Sequence, residues 1–170
     1  MKTVHLFFRS AEADDALAVA RVHVRSWQTG YRGLLPDVYL DGLRPEERYS
    51  FGKLGPNQPA TMVALMNGAI CGFATTAPAR DPEASGNGEL CALYVDPEWW
   101  GRGIGGVLVA AARARLAEQR FREAVLWMLS GNARAQRFYG NNGWLADGLE
   151  RKVEVWGLKV QEIRFRRTLP

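Results

Sequence analysis

A strand that leads through a glycine-rich turn into a helix is the feature that most restricts how this chain can fold. The strand-like run Glu89 to Val95 precedes a six-residue segment, Gly101 to Gly106, that contains four glycines. From Ile104 to Leu116 apolar residues then recur at helical spacing. Such glycines cost backbone entropy, whereas the N–H groups and the dipole at a helix start attract an anion. We therefore predict a pyrophosphate-binding turn, with an ordinary glycine-rich connection as the alternative.

Strand-like and helix-like segments alternate through the rest of the chain, which favours an α/β or α+β sheet protein of one domain, residues 1–170. The dipeptide Asn67-Gly68 favours the turn of a β-hairpin. The predicted strands are Val4 to Arg9, Thr61 to Met66, Ala69 to Thr76, Glu89 to Val95, Ala124 to Leu129, Gly148 to Val155 and Val160 to Thr168. The predicted helices begin at Asp14-Asp15, Pro36, Pro45, Ile104 and Asn132.

Composition excludes several classes of protein. With 170 residues, of which 47% are hydrophobic and 24% charged, the chain resembles one globular domain rather than a disordered or membrane protein. The apolar stretch Ile104 to Ala112 is far shorter than the roughly 20 residues that a membrane span needs. Met1 to Ala20 lacks the pattern of a secretion signal. We therefore expect a cytoplasmic protein without a membrane partner.

The basic residues do not indicate nucleic-acid binding. The net charge of +4 suits an anionic ligand as well as nucleic acid. The run Arg164 to Arg167 alternates charge with an apolar side chain, Phe165, which is typical of a solvated strand face. We therefore expect no nucleic-acid partner.

The cysteines and histidines do not indicate a metal site. Cys71 and Cys91 lie in apolar, strand-like runs, so we expect both to be buried thiols. His5 and His23 are isolated and lack metal-ligand spacing, and His23 fits a helix-surface position. No bound metal is expected.

A dinucleotide-binding fold is the first alternative for the glycine turn, because Gly101, Gly103 and Gly106 satisfy G-x-G-x-x-G. Such a fold needs an acidic residue near the end of the next strand to hold the ribose. The run Val125 to Leu129 is followed by Ser130, so that carboxylate is missing. The pattern alone does not support a dinucleotide site.

Two segments carry a family resemblance that covers nearly the whole chain. Trp100 to Gly105 ends in two glycines at alternate positions, and Asn132 to Tyr139 is followed by Gly143 and Trp144. They resemble the Q/R-x-x-G-x-G/A and N-x-x-A-x-x-F-Y…G-F/W segments of the GNAT superfamily of acetyl-CoA-dependent N-acetyltransferases. Trp100 stands where the family has Gln or Arg, a departure that affects one side-chain contact of a cradle built mainly from backbone.

The resemblance implies an α/β GNAT-type domain with a mixed central sheet of about six to seven strands flanked by helices, in which the central strands splay at the cofactor site. It implies acetyl-CoA as acyl donor, without a metal, its pantetheine arm pairing with free backbone groups of the splayed strand. Asn132 would hold the pantetheine and also cap its helix. The residues assigned to the cofactor are Leu93, Tyr94, Val95, Gly101, Arg102, Gly103, Ile104, Gly105, Gly106, Asn132, Ala135 and Phe138.

Two residues are candidates for catalysis. The resemblance implies that Tyr139 reaches the thioester sulfur and protonates the departing thiolate, the alternative being a core aromatic residue. Glu89 begins the strand that contacts the thioester and is our candidate for the base that deprotonates the amine through water. Some family members place a glutamate on the next strand, but Ala124 to Leu129 is apolar. An exposed strand-end carboxylate remains the alternative for Glu89.

The resemblance places the amine acceptor near the first long helix, where Trp27, Tyr31 and Arg32 are candidate acceptor-binding residues. Trp27 continues the apolar stripe of that helix, which is more typical of a core residue. Together the patterns predict transfer of acetyl from acetyl-CoA to a primary amine of a small molecule or peptide, by direct attack in a ternary complex. A non-catalytic acyl-CoA-binding or sensing module of the same fold is the alternative. The oligomeric state stays open, a homodimer included.

Overall fold

A computed structural model describes residues 5–48, 54 and 60–170 of the chain, so that Val4 of the predicted first strand lies outside the described residues. The strands are β1 (Leu6–Ser10), β2 (Ala60–Met66), β3 (Ala69–Pro78), β4 (Gly88–Val95), β5 (Glu123–Leu129), β6 (Leu145–Val155) and β7 (Leu158–Thr168). The helices are α1 (Ala16–Gly30), α2 (Asp37–Asp41), α3 (Pro45–Arg48), α4 (Ile104–Glu118) and α5 (Ala133–Asn141). Within the described ranges, no helix combines the length and the apolar character needed to cross a membrane.

The seven strands form one mixed sheet, which confirms the predicted α/β class and strand number, and their order is β1-β2-β3-β4-β5-β7-β6. The pairs β1–β2, β2–β3, β5–β7 and β6–β7 are antiparallel, and β4 runs parallel to β5. The β2–β3 hairpin turns at Asn67 and Gly68, whose φ angles of 51° and 84° confirm the predicted turn.

The ladder between β4 and β5 is short. It joins Gly88 to Ala124 and Glu89 to Val125, the first residues along each strand. Both strands continue beyond these pairs without extending the parallel ladder, which agrees with the predicted splay of the central strands. Hydrogen-bonding groups that a continuous parallel ladder would use are therefore available for other partners beyond Glu89.

The chain divides into two compact units, which we call the N-terminal unit (up to Thr76, with Ala92–Ala112) and the C-terminal unit (Ala77–Cys91, with Arg113 onward). In the N-terminal unit, Val19 and Val22 of α1 pack with Val63 and Phe73 of the sheet. The neighbouring Gly72 faces the other way, since a Cβ there would lie 3.1 Å from Leu108 of α4. Helices α1 and α4 therefore cover opposite faces of β3.

In the C-terminal unit, β4 begins against the end of α4. A Cβ on Gly88 would lie 2.7 Å from the end of the Leu116 side chain, so any larger residue there would require Leu116 to move. Because side chains alternate along a strand, Glu89 points to the opposite face of the sheet. Cys91 shares that face and is exposed, so the expectation of a buried thiol is wrong for Cys91 and confirmed for Cys71.

The basic run of β7 differs from the predicted solvated face. Phe165 is buried as expected, but its neighbour Arg164 is also only 3% exposed. The Arg164 guanidinium donates to Asp147 at 2.6 Å and to Asp81 at 2.8 Å. Burial alone lowers the pKa of Arg164, but the two carboxylates outweigh it and raise that pKa. Strand β7 is therefore buried on both faces at Arg164 and Phe165, because carboxylates from two other segments of the chain neutralise the Arg164 charge.

The beginning of β6 was also predicted too late, at Gly148 instead of Leu145. The β6–β7 register shifts between Ala146 and Glu150, and Gly148 has a φ of 86° within this bulge. A bulge interrupts the alternation of apolar and polar residues from which a strand is recognised.

His23 does not lie on the helix surface, contrary to expectation. Its ring packs against the rings of Tyr94, Phe73 and Trp27, with centroid distances of 4.4, 5.6 and 5.7 Å. The buried stripe of α1 also includes Val22 and Ser26 and is therefore wider than predicted. Burial lowers the pKa of His23 to about 3.

The neutral His23 ring predicts a loss of stability in acid. The unfolded chain binds a proton near pH 6.5, whereas the folded chain does so only near pH 3. The free energy of unfolding should therefore fall as the pH drops below 6.5. His23→Phe should reduce that loss by about 3 kcal/mol at pH 4, measured by urea unfolding. His5→Phe, at an exposed position, is the matched control, and equal pH dependence in parent and His23→Phe would contradict the prediction.

Candidate functional site

The glycine turn is open and preformed. Gly101 and Gly103 are exposed, have φ angles of 73° and 80°, and would place a Cβ in empty space. The first helical hydrogen bond of α4 runs from the Val107 N–H to the Gly103 carbonyl at 3.2 Å. The N–H groups of residues 104–106 precede that bond and have no acceptor within the helix. The turn therefore offers backbone donors, a helix dipole and unobstructed access to an anion.

The side chains around the turn have different roles. Ile104 is 1% exposed and anchors α4 in the core, so only its backbone is available to a ligand. Gly105 and Gly106 are half-buried. Arg102 is exposed, and its guanidinium lies 4.6 Å from the centre of the Trp99 ring. This stacking holds a positive charge beside the exposed glycines.

Trp100, the departure from the family pattern, fixes the turn to its surroundings. Its indole N–H donates to the Val95 carbonyl at 2.7 Å. Its ring lies against Gly30 at the end of α1, where an added Cβ would be 3.7 Å away. Trp100 therefore attaches the turn to the end of β4 and to the end of α1.

The end of β4 is less open than predicted. The Val95 carbonyl also accepts from the Ser26 hydroxyl at 2.9 Å, so both of its lone pairs are used. The expectation of a free backbone group is therefore wrong for the Val95 carbonyl. Leu93 and Tyr94 are half-buried, and their backbone pairing with a cofactor stays a prediction.

The residues predicted to bind the acceptor lie in the N-terminal unit. Trp27 is 6% exposed, as a core residue would be. The Tyr31 hydroxyl lies 3.4 Å from the Tyr94 hydroxyl, so the structure brings these two residues together. Arg32 is exposed and forms ion pairs with Asp41 at 2.6 Å and Asp37 at 3.3 Å. The charge of Arg32 is therefore already balanced within the chain.

In the C-terminal unit, Asn132 and Tyr139 lie at the N-cap and near the end of α5. The Asn132 side chain accepts from the Ala135 N–H at 3.1 Å and caps α5. Tyr139 is half-buried, with its ring centroid 5.1 Å from that of Phe138 and 6.3 Å from that of Trp144. Their contacts with a cofactor stay predictions.

Glu89 is half-buried in β4 beside Val125 of β5. Burial raises the pKa of the Glu89 carboxyl, and Cys91, Arg151 and Arg80 partly oppose that rise. A raised pKa makes a carboxylate a better proton acceptor, which suits a general base.

The environment of Glu89 includes residues that the sequence patterns did not indicate. Arg151 stacks over Trp127 with 4.1 Å between its guanidinium carbon and the ring centre. Arg80 belongs to the loop before β4. These residues come from three separate segments, so no local spacing relates them. The single available signal was a tryptophan in the otherwise aliphatic strand β5.

Within residues 5–48, 54 and 60–170, no group of three or more His, Cys, Asp or Glu side chains is arranged to hold a metal ion. The N-terminal unit contributes backbone donors and the two hydroxyls of Tyr31 and Tyr94, and the C-terminal unit contributes the Glu89 carboxyl with its raised pKa.

The central strands β4 and β5 separate after a short ladder, and an exposed glycine turn begins α4. These two features define an α/β fold of the GNAT type. The chain belongs to the GNAT acetyltransferase family, whose model matches residues 21–144. It is 30% identical over 124 residues to the uncharacterised N-acetyltransferase YuaI of Bacillus subtilis, covering 73% of this chain and 72% of that relative. It is 34% identical over 139 residues to an uncharacterised N-acetyltransferase of Archaeoglobus fulgidus, covering 78% and 88%.

Solved structures show the same fold at low sequence identity. The PaiA N-acetyltransferase of Thermoplasma acidophilum, crystallised in complex with coenzyme A, has a TM-score of 0.74 and 20% identity, covering 96% of this chain and 99% of that one. An N-acetyltransferase of Staphylococcus aureus also has a TM-score of 0.74, with 18% identity and coverage of 98% and 99%.

The open turn predicts a specific effect of Gly103→Val on the binding of acetyl-CoA. The valine strains a left-handed backbone position and fills the space that a ligand needs, so affinity should fall at least tenfold, about 1.4 kcal/mol. Gly157→Val is the matched control, because Gly157 has a φ of 79° and equally open space. Both variants should lose stability, but only Gly103→Val should lose affinity in calorimetric titration. Unchanged affinity in folded Gly103→Val would remove the turn from the binding site.

Proposed function

We propose that this protein transfers an acetyl group from acetyl-CoA to a primary amine by direct attack in a ternary complex. The observation that carries the proposal is the exposed turn at Gly101 and Gly103, with N–H groups at the start of α4 that have no acceptor within the helix. Membership of the GNAT family and the coenzyme A complex of the Thermoplasma relative support acetyl-CoA as donor. The cytoplasm is the proposed location, and the acceptor is a small-molecule or peptide amine.

The proposed donor site assigns the pyrophosphate of acetyl-CoA to the turn. The backbone donors of residues 104–106 and the Arg102 guanidinium would balance its negative charge. Asn132 is the proposed contact for the pantetheine arm, together with its capping role. The short β4–β5 ladder supports this assignment, since backbone groups beyond Glu89 lie outside the parallel ladder.

The proposed reaction needs a base and an acid. The ammonium first loses a proton to Glu89 through water, which frees the lone pair of the nitrogen. That lone pair attacks the thioester carbonyl, a C–N bond forms, and the C–S bond breaks with its electrons passing to sulfur. Tyr139 then protonates the CoA thiolate, and the nitrogen loses its second proton as the amide forms; that proton returns to the Tyr139 oxygen through water. Initial-rate kinetics test the ternary complex, since a covalent acetyl-enzyme would give a ping-pong pattern instead of a sequential one.

A non-catalytic acyl-CoA-binding module is the second candidate, because the glycine turn alone accounts for binding and not for turnover. Acetyl-CoA consumption against a panel of amines, amino acids, aminoglycosides and peptide N-termini separates the two. Amine-dependent release of CoA supports the enzyme. Tight acetyl-CoA binding without release for any amine supports the module.

The role of Glu89 predicts a pH-dependent defect. As the pH falls through the raised pKa of Glu89, the base becomes protonated, so kcat/KM of the parent should decline in acid. Glu89→Gln removes the basic oxygen, so its deficit should be large near neutral pH and shrink at high pH, where more amine is already unprotonated. The measurement is kcat/KM as a function of pH for parent and variant, with one acceptor whose amine pKa is known. Glu118→Gln, at an exposed position of α4, is the control, and parallel profiles for Glu89→Gln and parent would exclude the base.

The role of Tyr139 predicts a defect in turnover without a defect in binding. Tyr139→Phe keeps the ring packing against Phe138 and Trp144 but removes the proton donor. The value of kcat should fall roughly 100-fold, while the acetyl-CoA dissociation constant stays near that of the parent. Tyr39→Phe, on α2, is a matched loss of a half-buried hydroxyl. A kcat equal to that of the parent, with chemistry rate-limiting, would assign Tyr139 to the core.

A further inference from the structure

One face of the sheet in the C-terminal unit collects the charged residues around Glu89. Paired residues of a ladder point to the same side, and side chains alternate along each strand. The pairs that define this face are Glu89 with Val125, Trp127 with Arg164, and Arg151 with Glu162. We call it the Glu89 face; α4 packs against the opposite face, at Gly88.

Most charges of the Glu89 face are satisfied within the chain. Arg151 pairs with Glu162 at 2.8 Å. Arg164 lies between Asp81 and Asp147, and its side chain is 4% exposed. The bond to Asp81 holds the loop before β4 against this face. It thereby places the neighbouring residue, Arg80, at the edge of the same face.

Within the ranges that the structure describes, two side chains on this face form no ion pair, and a third has a donor without an acceptor. Arg80 is exposed, and in the described part of the chain neither Arg80 nor Glu89 has an ion-pair partner within 4 Å. The indole N–H of Trp127 is buried and has no acceptor among the described residues. Arg80 and Trp127 therefore have donors to offer a ligand. Glu89 accepts from the Cys91 thiol and lies near Arg80 and Arg151 without forming an ion pair with either. A molecule that carries both an ammonium group and an anion complements this set.

We propose that the acceptor is an amine that carries a carboxylate, as in an amino acid, with Arg80 binding the carboxylate while the amine faces Glu89. The proposal rests on the proposed acetyl transfer and on Glu89 as its base. A guanidinium pairs with a carboxylate through two parallel hydrogen bonds, which orients the acceptor as well as attracting it. Trp127 forms the apolar floor of the site between Arg151 and Arg164, whose guanidinium carbons lie 4.1 and 5.8 Å from its ring centre.

The test compares amines that differ only in the anion. Acetyl transfer is measured for α-amino acids, for ω-amino acids of increasing chain length, and for the amide of each. We expect kcat/KM to be at least tenfold higher for the acids than for the amides, and the best chain length to report the spacing between amine and carboxylate. Arg80→Gln should abolish that preference by raising KM for the acids, and Arg80→Lys should restore part of it. Arg122→Gln, an exposed arginine that precedes β5, is the control and should keep the preference.

The outcomes separate this proposal from the proposed function. Equal or better transfer to amides or diamines, or an unchanged preference in Arg80→Gln, would overturn the carboxylate site while leaving the transferase intact. If no amine is acetylated, calorimetry of N-acetylated amino acids with the CoA-loaded protein decides. Binding that Arg80→Gln loses and Arg122→Gln retains would support the site in a protein without turnover, and absence of binding would overturn it.

Discussion

The carbonyl of Val95 is the point on which the arrangement of the N-terminal unit depends. It accepts one hydrogen bond from the Ser26 hydroxyl of α1 and one from the Trp100 indole of the turn. The same oxygen therefore ties the last residue of β4 to the helix that packs on one face of β3 and to the loop that leads into α4. A half-buried carbonyl with two donors resists displacement, because moving it away breaks both hydrogen bonds at once. The glycine turn can be open to solvent because its base is held in this way.

Much of the fold follows from local patterns in the sequence. The strong helical stripe from Ile104 and the Asn67-Gly68 turn specify their elements through short-range geometry, and both occur where expected. Where a local rule failed, a distant partner was responsible. Arg164 is buried because Asp81 and Asp147 reach it, and the position of His23 is decided by Phe73 and Tyr94. No pattern within either strand or helix contains those partners.

The candidate site shows the same division. The glycine turn is a contiguous motif, so its position and its open backbone at a helix start are predictable from the sequence. The surroundings of Glu89 are not, because they combine a loop arginine, a tryptophan of β5 and an arginine of β6. The expected free carbonyl at Val95 was wrong for a related reason, since the donor that uses it is Trp100, the residue that departs from the family pattern.

The buried Arg164 has a consequence for how the choice of acceptor can evolve. Asp147 lies in the bulge of the edge hairpin formed by β6 and β7, and it forms an ion pair with Arg164. Arg164 also binds Asp81, the residue next to Arg80, so a shift of Asp147 can move Arg80. Insertions or substitutions in that hairpin can therefore move the loop before β4, which carries Arg80. In the proposed acceptor site, a peripheral hairpin would then set the position of the carboxylate-binding arginine, which gives a small fold a route to new acceptors by mutation outside the site itself.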